Sequence, residues 1–66
     1  MRTKIKQTIL KILSDKRANG DVLPFATSLE VAHLLNASIR DVEKLSERID
    51  GIVSGKMENG EWYYYE

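Results

Sequence analysis

The stretch TSLEVAHLLNAS, residues 27–38, decides how this chain folds. Thr27 is a residue type that caps helices, and Glu30 stands three residues later, which is the spacing of a capping box. Apolar residues then follow on one helical face, at Leu29, Ala32 and Leu35. The pattern predicts a helix over residues 28–35.

A second helix follows after a tight connection. Asn36-Ala37 leaves room for only a short turn, and Ser38 can cap the start of the next helix. The apolar residues of that helix are spaced by three, three and four positions, at Ile39, Val42, Leu45 and Ile49. We predict a helix over residues 39–49. Two short helices joined by so few residues form a helix-turn-helix.

The chain before this pair predicts a longer helix and a short strand. Isoleucine and leucine recur on one stripe, at Ile5, Ile9, Ile12 and Leu13. Lys16 would return to that stripe, so we end the first helix early and place it over residues 3–16. Pro24 is excluded from the interior of a sheet but is compatible with a short edge strand over residues 23–26.

The end of the chain predicts a β-hairpin. Asn59-Gly60 favours a two-residue turn in which both residues have positive φ. We therefore expect strands over 52–58 and 61–65, with Met57 opposite Trp62. Strict alternation then places an apolar set against the helices, namely Val53, Met57, Trp62 and Tyr64, and turns Tyr63 and Tyr65 outward. The predicted core joins Ile9, Leu13, Leu29, Ala32, Leu35, Val42, Leu45, Ile49 and Trp62.

The composition of the chain excludes several classes of protein. The chain has 66 residues, the size of one domain, and 42% hydrophobic with 30% charged residues is typical of a folded chain. Without cysteine, and with His33 as the only histidine, we expect no disulfide, metal site or cofactor. No catalytic or phosphate-binding motif is present, so we expect no enzyme activity and no small-molecule ligand. No apolar run suits a membrane span or a secretory signal, so we expect a cytoplasmic protein that does not bind membranes.

The net charge is zero because a basic N-terminal part and an acidic remainder of the chain cancel each other. Residues 1–17 contain six basic residues and one acid, whereas residues 18–66 contain four basic residues and nine acids. The chain is therefore not a strongly basic nucleic-acid binder, but one flank is positive.

The order of elements resembles a known fold. A hairpin directly after a helix-turn-helix gives the α+β layout of a winged helix, and residues 27–38 are similar to its helix pair, with a threonine cap, Ala32 at the helix crossing and a serine cap. Nearly the full length is similar in layout to the small FaeA-like regulators of fimbrial operons, which also end in an aromatic strand. The resemblance implies a bacterial, plasmid-type or phage-type transcription regulator that often acts with another DNA-binding protein.

That resemblance implies binding of duplex DNA, with helix 39–49 in the major groove and the hairpin as a wing on the backbone. Arginine can bind O6 and N7 of guanine together, and Arg40 lies one turn before Lys44. The candidate DNA-binding residues are Ser38, Arg40, Asp41, Lys44, Arg48, Lys56 and Asn59. Candidates for contacts to the DNA backbone are Arg2, Lys4, Thr27 and Ser28.

A second hypothesis is a winged-helix protein-interaction module without sequence readout. Three acids share the outward face of helix 39–49, namely Asp41, Glu43 and Glu47, and acids near phosphates weaken DNA binding. The expected partners are duplex DNA, together with a second DNA-binding protein or a second copy of the chain. A monomer with so few positive charges is expected to bind DNA weakly.

Overall fold

Three helices and three short strands make up an α+β domain in a computed structural model that describes residues 1–66. The elements in chain order are α1 (Arg2–Ala18), β1 (Ala26–Thr27), α2 (Ser28–Leu35), α3 (Ile39–Leu45), β2 (Val53–Lys56) and β3 (Trp62–Tyr65). The strands form one antiparallel sheet in the order β1-β3-β2, so the last strand is central. The predicted α+β class, with three helices and a C-terminal hairpin, is confirmed.

α1 is longer than the predicted 3–16 because Lys16 does not end it. The Lys16 ammonium donates to the carbonyl of Phe25 at 2.6 Å and to the carboxylate of Glu30 at 3.1 Å. A lysine can lie along an apolar face when its charged end finds polar partners. The helix ends instead at Asn19, just before Gly20, which has a φ of 101°.

The first strand also differs from the prediction of 23–26. β1 contains only Ala26 and Thr27, which pair with Tyr64 and Tyr63 of β3. Pro24 is buried, but it has no amide hydrogen to donate to a neighbouring strand. Residues 22–25 therefore lie outside the sheet.

The predicted caps of α2 and α3 are confirmed. The Thr27 hydroxyl accepts from the Glu30 amide at 3.2 Å, and the Glu30 carboxylate accepts from the Thr27 amide at 3.0 Å, which completes the capping box. Asn36 ends α2 in the left-handed region, with a φ of 53°. Ser38 then accepts the Asp41 amide at 3.1 Å and starts α3.

α3 ends at Leu45, not at the predicted residue 49. The next residue, Ser46, is buried, and its hydroxyl donates to the carbonyl of Glu43 at 3.2 Å. The same hydroxyl lies 2.6 Å from the hydroxyl of Tyr64, on the central strand. A buried serine that bonds to a nearby carbonyl competes with helical hydrogen bonding. Ile49 follows in irregular structure and still packs against the core.

The hairpin has a three-residue loop, so the predicted two-residue turn is wrong. The Gly60 amide donates to the carbonyl of Met57 at 2.9 Å, and the Met57 amide donates to the carbonyl of Glu61 at 2.7 Å. Gly60 has a φ of 89°, whereas Asn59 has no positive φ. This is a type I turn followed by a left-handed glycine, a common alternative to the two-residue turn. The strands are accordingly shorter than the predicted 52–58 and 61–65.

The longer loop shifts the register by one residue and reverses the faces of β2. Lys56, not Met57, lies opposite Trp62. Since side chains alternate along a strand, a shift of one residue moves every side chain of β2 to the other face. Val53 and Met57 therefore share the outer face of the sheet with Tyr63 and Tyr65, instead of covering the helices. The predicted orientation of β3 is retained, with Tyr64 buried and Trp62 partly buried.

The core lies between α1, α2, α3 and the inner face of the sheet. Its buried residues are Ile5, Ile9, Ile12, Leu13, Ala26, Val31, Ala32, Val42 and Tyr64. Leu29 was expected there but is 55% exposed. The inward residues of α2 are Ser28, Val31, Ala32 and Leu35, a complete stripe at helical spacing that includes a serine. The predicted residues Leu35, Leu45, Ile49 and Trp62 pack at the edge of this core.

The hydroxyl of Tyr64 is buried beside the C-terminal end of α3. It shares a hydrogen bond of 2.6 Å with the buried hydroxyl of Ser46. Burial raises the pKa of Tyr64 above its ordinary value, the hydrogen bond with Ser46 partly opposes this rise, and the charge of Glu43 adds to it.

Replacement of Tyr64 by phenylalanine is expected to cost about 1 kcal/mol at neutral pH, through loss of this hydrogen bond. A tyrosine with a raised folded pKa stabilises the domain fully below its unfolded pKa of about 10, and this contribution is lost as the pH rises through the folded pKa. The stability gap between wild type and Tyr64→Phe should therefore narrow above about pH 10. Urea unfolding at neutral and alkaline pH measures the gap. Tyr65→Phe, at an exposed position, is the control, and a gap that stays constant with pH would contradict this account.

Candidate nucleic-acid interface

The first two turns of α3 present two cations on one outward face. Arg40 and Lys44 are four residues apart, both are exposed, and neither takes part in an ion pair. Residues at this spacing are neighbours on a helix surface. The two side chains are therefore both free to reach one anionic or hydrogen-bonding ligand.

Ser38 and Asp41 lie at the start of the same helix. Both are exposed, and the Ser38 hydroxyl is occupied by the Asp41 amide. Capping is therefore the observed role of Ser38, and contact of Ser38 or Asp41 with DNA stays a prediction.

Glu43 does not lie on the outward face where the sequence placed it. It is partly buried, and its carboxylate accepts from the hydroxyl of Ser28 at 3.0 Å, across the contact between α2 and α3. This bond removes one of the three acids that were expected beside Arg40 and Lys44. Asp41 and Glu47 are the two that remain exposed.

The same bond removes Ser28 from the candidate contacts to the DNA backbone. Its side chain is completely buried, so it cannot reach a ligand outside the domain. Thr27 is also occupied, because its hydroxyl accepts from the Glu30 amide and lies 3.3 Å from the Glu30 carboxylate. The sequence does contain a signal that Ser28 is buried. Ser28 precedes the apolar residues Val31 and Ala32 by three and four positions, so it lies on the same helical face.

Arg48 is not on α3, because the helix ends three residues earlier. It lies in the turn that follows, where it is exposed and forms no ion pair. Its direction is therefore not tied to the helical face that carries Arg40 and Lys44.

The hairpin contributes Lys56 and Asn59. Lys56, at the end of β2, is exposed and forms no ion pair. The side-chain oxygen of Asn59 accepts from the Glu61 amide at 2.9 Å, so this residue shapes the loop. Glu58 and Glu61 keep the loop from being strongly positive.

Arg2 and Lys4 lie in the first turn of α1. Both are exposed and outside any ion pair, unlike Lys16 and Arg17, whose charges are paired with Glu30 and Glu66. The candidate cations lie on three separate elements, namely α1, α3 and the hairpin. No shared acidic partner links their side chains.

Exposed apolar side chains beside α3 were missed by the sequence reasoning. Leu29 and Leu34 of α2 are 55% and 58% exposed, and Ile39 of α3 is 40% exposed. Leu29 and Ile39 line a shallow depression between the two helices, together with His33 and Asn36. The surface next to Arg40 is therefore partly apolar.

No group of three or more histidine, aspartate or glutamate side chains is arranged to hold a metal ion. None of the three helices is both long and apolar enough to span a bilayer. Comparisons with family models, with curated proteins and with solved structures return no match for this chain.

Proposed function

We propose that the chain is a winged-helix domain that binds duplex DNA as a small transcription regulator. In this proposal α3 enters the major groove and the β2–β3 hairpin is a wing on the DNA backbone. The order of the elements supports it, since a strand precedes the helix pair and the hairpin follows it directly. The pairing of β1 with β3 then joins the hairpin to the start of α2.

The observation that carries the proposal is the pair of free cations on α3. Arg40 lies in the first turn of the helix, and the N-terminal residues of a helix in the major groove are the ones that contact base edges. Lys44, one turn later, is placed to contact an adjacent base or phosphate. The bond between Glu43 and Ser28 favours this role, because it holds one acid away from the phosphates.

The contacts with the DNA backbone would come from separate elements. Lys56 on the hairpin and Arg2 and Lys4 on α1 are exposed cations without partners. Each phosphate contact adds to affinity and to its dependence on salt. With these three cations and Lys44, a monomer makes about four such contacts and should bind weakly at physiological salt. This favours action with a second DNA-binding protein or a second copy, as in the regulators of fimbrial operons that the layout resembles.

A protein-interaction module is the second candidate function. Leu29 and Ile39, which are exposed in the depression between α2 and α3, favour it, because apolar side chains at a surface depression suit the core of a protein interface. In a DNA complex the same side chains would contact only the methyl groups of thymine.

Selection from a random duplex library, followed by binding measurements at several salt concentrations, tests the proposal. We expect one sequence to be enriched, and we expect log K to fall with log salt with a slope of about −3 to −4, for four phosphate contacts. Failure to enrich any sequence, with an affinity that is insensitive to salt, would place the protein-interaction module first.

A further inference from the structure

A groove of 510 Å³ lies on the outer face of the sheet, away from α3. The groove is lined mainly by apolar and aromatic side chains, namely Val22, Leu23, Phe25, Met57, Tyr63 and Tyr65. Val22 and Leu23 are 88% and 89% exposed, although they are among the most apolar residues of the chain. Nothing in the domain covers this surface.

The groove has an ordered aromatic floor. The rings of Tyr63 and Tyr65 stack at 6.0 Å, and Phe25 meets the edge of Tyr63 at 6.3 Å. Gly55 lies opposite Tyr63, and a side chain at this position would collide with the Tyr63 ring. The glycine therefore lets the ring lie flat against β2 and keeps the floor in place.

The loop that carries Val22 and Leu23 is held on both sides. Pro24 is buried, and the carbonyl of Phe25 accepts from Lys16 at 2.6 Å. At its start, the Asp21 amide donates to the carbonyl of Lys16 at 3.0 Å. The two exposed side chains thus project from a fixed backbone, and little conformational entropy is lost when they are covered.

The rim of the groove carries one charge of each sign. Arg17 and Glu66 form an ion pair with 2.7 Å between nitrogen and oxygen, and both side chains are about half-exposed. The two charges cancel, so two copies that bring this same patch together across a two-fold axis do not repel one another through the rim.

We propose that this groove is the interface of a two-fold symmetric dimer, in which Leu23 of each copy inserts into the groove of the other. Five side chains on this face have exposed fractions between 40% and 89%, namely Val22, Leu23, Phe25, Val53 and Tyr65. Together they expose roughly 500 Å² per copy, taking aromatic side chains at about 200 Å² and aliphatic ones at about 150 Å². Two copies would bury roughly 1,000 Å², the smallest area expected of a specific interface.

The area is also near the upper limit of the apolar patches that monomers leave exposed. The charge pattern selects a second copy over a strongly acidic or basic partner, because the rim has one cation and one anion. The groove and the proposed wing share the β2–β3 hairpin, but none of the candidate DNA-binding residues lines the groove, so the dimer does not depend on DNA binding.

Sedimentation velocity without DNA tests the dimer, over protein concentrations from about 1 μM to about 1 mM. The mass of the wild type should rise from 7.6 kDa toward twice that value. Leu23→Glu should raise the dissociation constant of the dimer by at least about tenfold, because it places a charge in the apolar interface. Leu34→Glu is the matched control, an exposed leucine outside the groove, and should leave the constant unchanged. Circular dichroism verifies that both variants are folded.

A charge exchange tests the role of the neutral rim. Arg17→Glu and Glu66→Arg each give the rim two charges of one sign, so each should weaken the dimer by repulsion between the copies. The double variant again carries one charge of each sign and should restore the dimer. A wild type that stays at 7.6 kDa throughout would overturn the proposal, and so would a dimer that Leu23→Glu leaves intact. A monomer that instead binds an apolar peptide in the groove would overturn it as well.

Discussion

Truncation of Leu13 to alanine is expected to remove about half of the free energy of unfolding and to lower the melting temperature by tens of degrees. Leu13 is completely buried in the core, on the face of α1 that packs against α2 and the sheet. Removal of a buried leucine side chain costs about 2–5 kcal/mol, from lost transfer energy and from the cavity that remains. A domain of this length has only about 3–10 kcal/mol of stability, so the loss takes about half of it.

Leu34→Ala is the matched control for this prediction, because it makes the same chemical change in a helix at a position that is 58% exposed. It should change the stability by less than about 0.5 kcal/mol. Thermal and urea unfolding, followed by circular dichroism, measure both variants. A cooperative transition of Leu13→Ala at the wild-type temperature would show that α1 does not form the core as described.

The second large effect concerns DNA. Arg40→Ala should lose about 1–3 kcal/mol of binding energy on the selected sequence and little on random duplexes. The reason is that an arginine in the first turn of α3 can bond two guanine atoms in a fixed geometry, whereas random sequence offers no such partner on average. Arg40 is exposed and outside any ion pair, so its removal should not disturb the fold.

Lys56→Ala is the comparison for Arg40→Ala. A phosphate contact carries no sequence information, so this variant should weaken binding to selected and random DNA about equally. Fluorescence anisotropy at one fixed salt concentration gives the four affinities. If Arg40→Ala also weakens both duplexes alike, sequence readout by α3 is wrong.

The helices could be predicted because their signals are local. Thr27 with Glu30 marks the start of α2, Ser38 marks the start of α3, and both caps are present in the structure. The recurring isoleucines and leucines of α1 likewise identify its buried face. Capping and periodicity depend on residues three or four positions apart, which are adjacent in any helix.

The end of α3 and the register of the hairpin could not be predicted, because each depends on contacts beyond local sequence. Ser46 directly follows the last residue of α3 and is buried, and its hydroxyl lies 2.6 Å from that of Tyr64, eighteen residues away in the sequence. Asn59-Gly60 is compatible with both a two-residue and a three-residue loop, and the choice shifts β2 by one position. That shift moved Val53 to the outer face.

The candidate site could be predicted in part. Arg40 and Lys44 are on the outward face of α3, as their spacing indicates. Ser28 and Glu43 were assigned to the surface because they are polar, yet they bond to each other across α2 and α3. In the sequence, a serine and a glutamate that bond to each other inside the domain look the same as a serine and a glutamate on the surface. Only the three-dimensional contact shows that they are paired.

A titration of the ¹⁵N-labelled chain with duplex DNA at low salt, followed by NMR, tests the central claim most directly. The account predicts that the amides of residues 38–45, with those of the hairpin loop at 57–61, shift most and in proportion to the DNA added. The amides of Val22, Leu23 and Phe25, beside the groove on the outer face of the sheet, should shift least. Shifts that are confined to α1, or spectra that do not change with duplex DNA, would contradict DNA binding through α3.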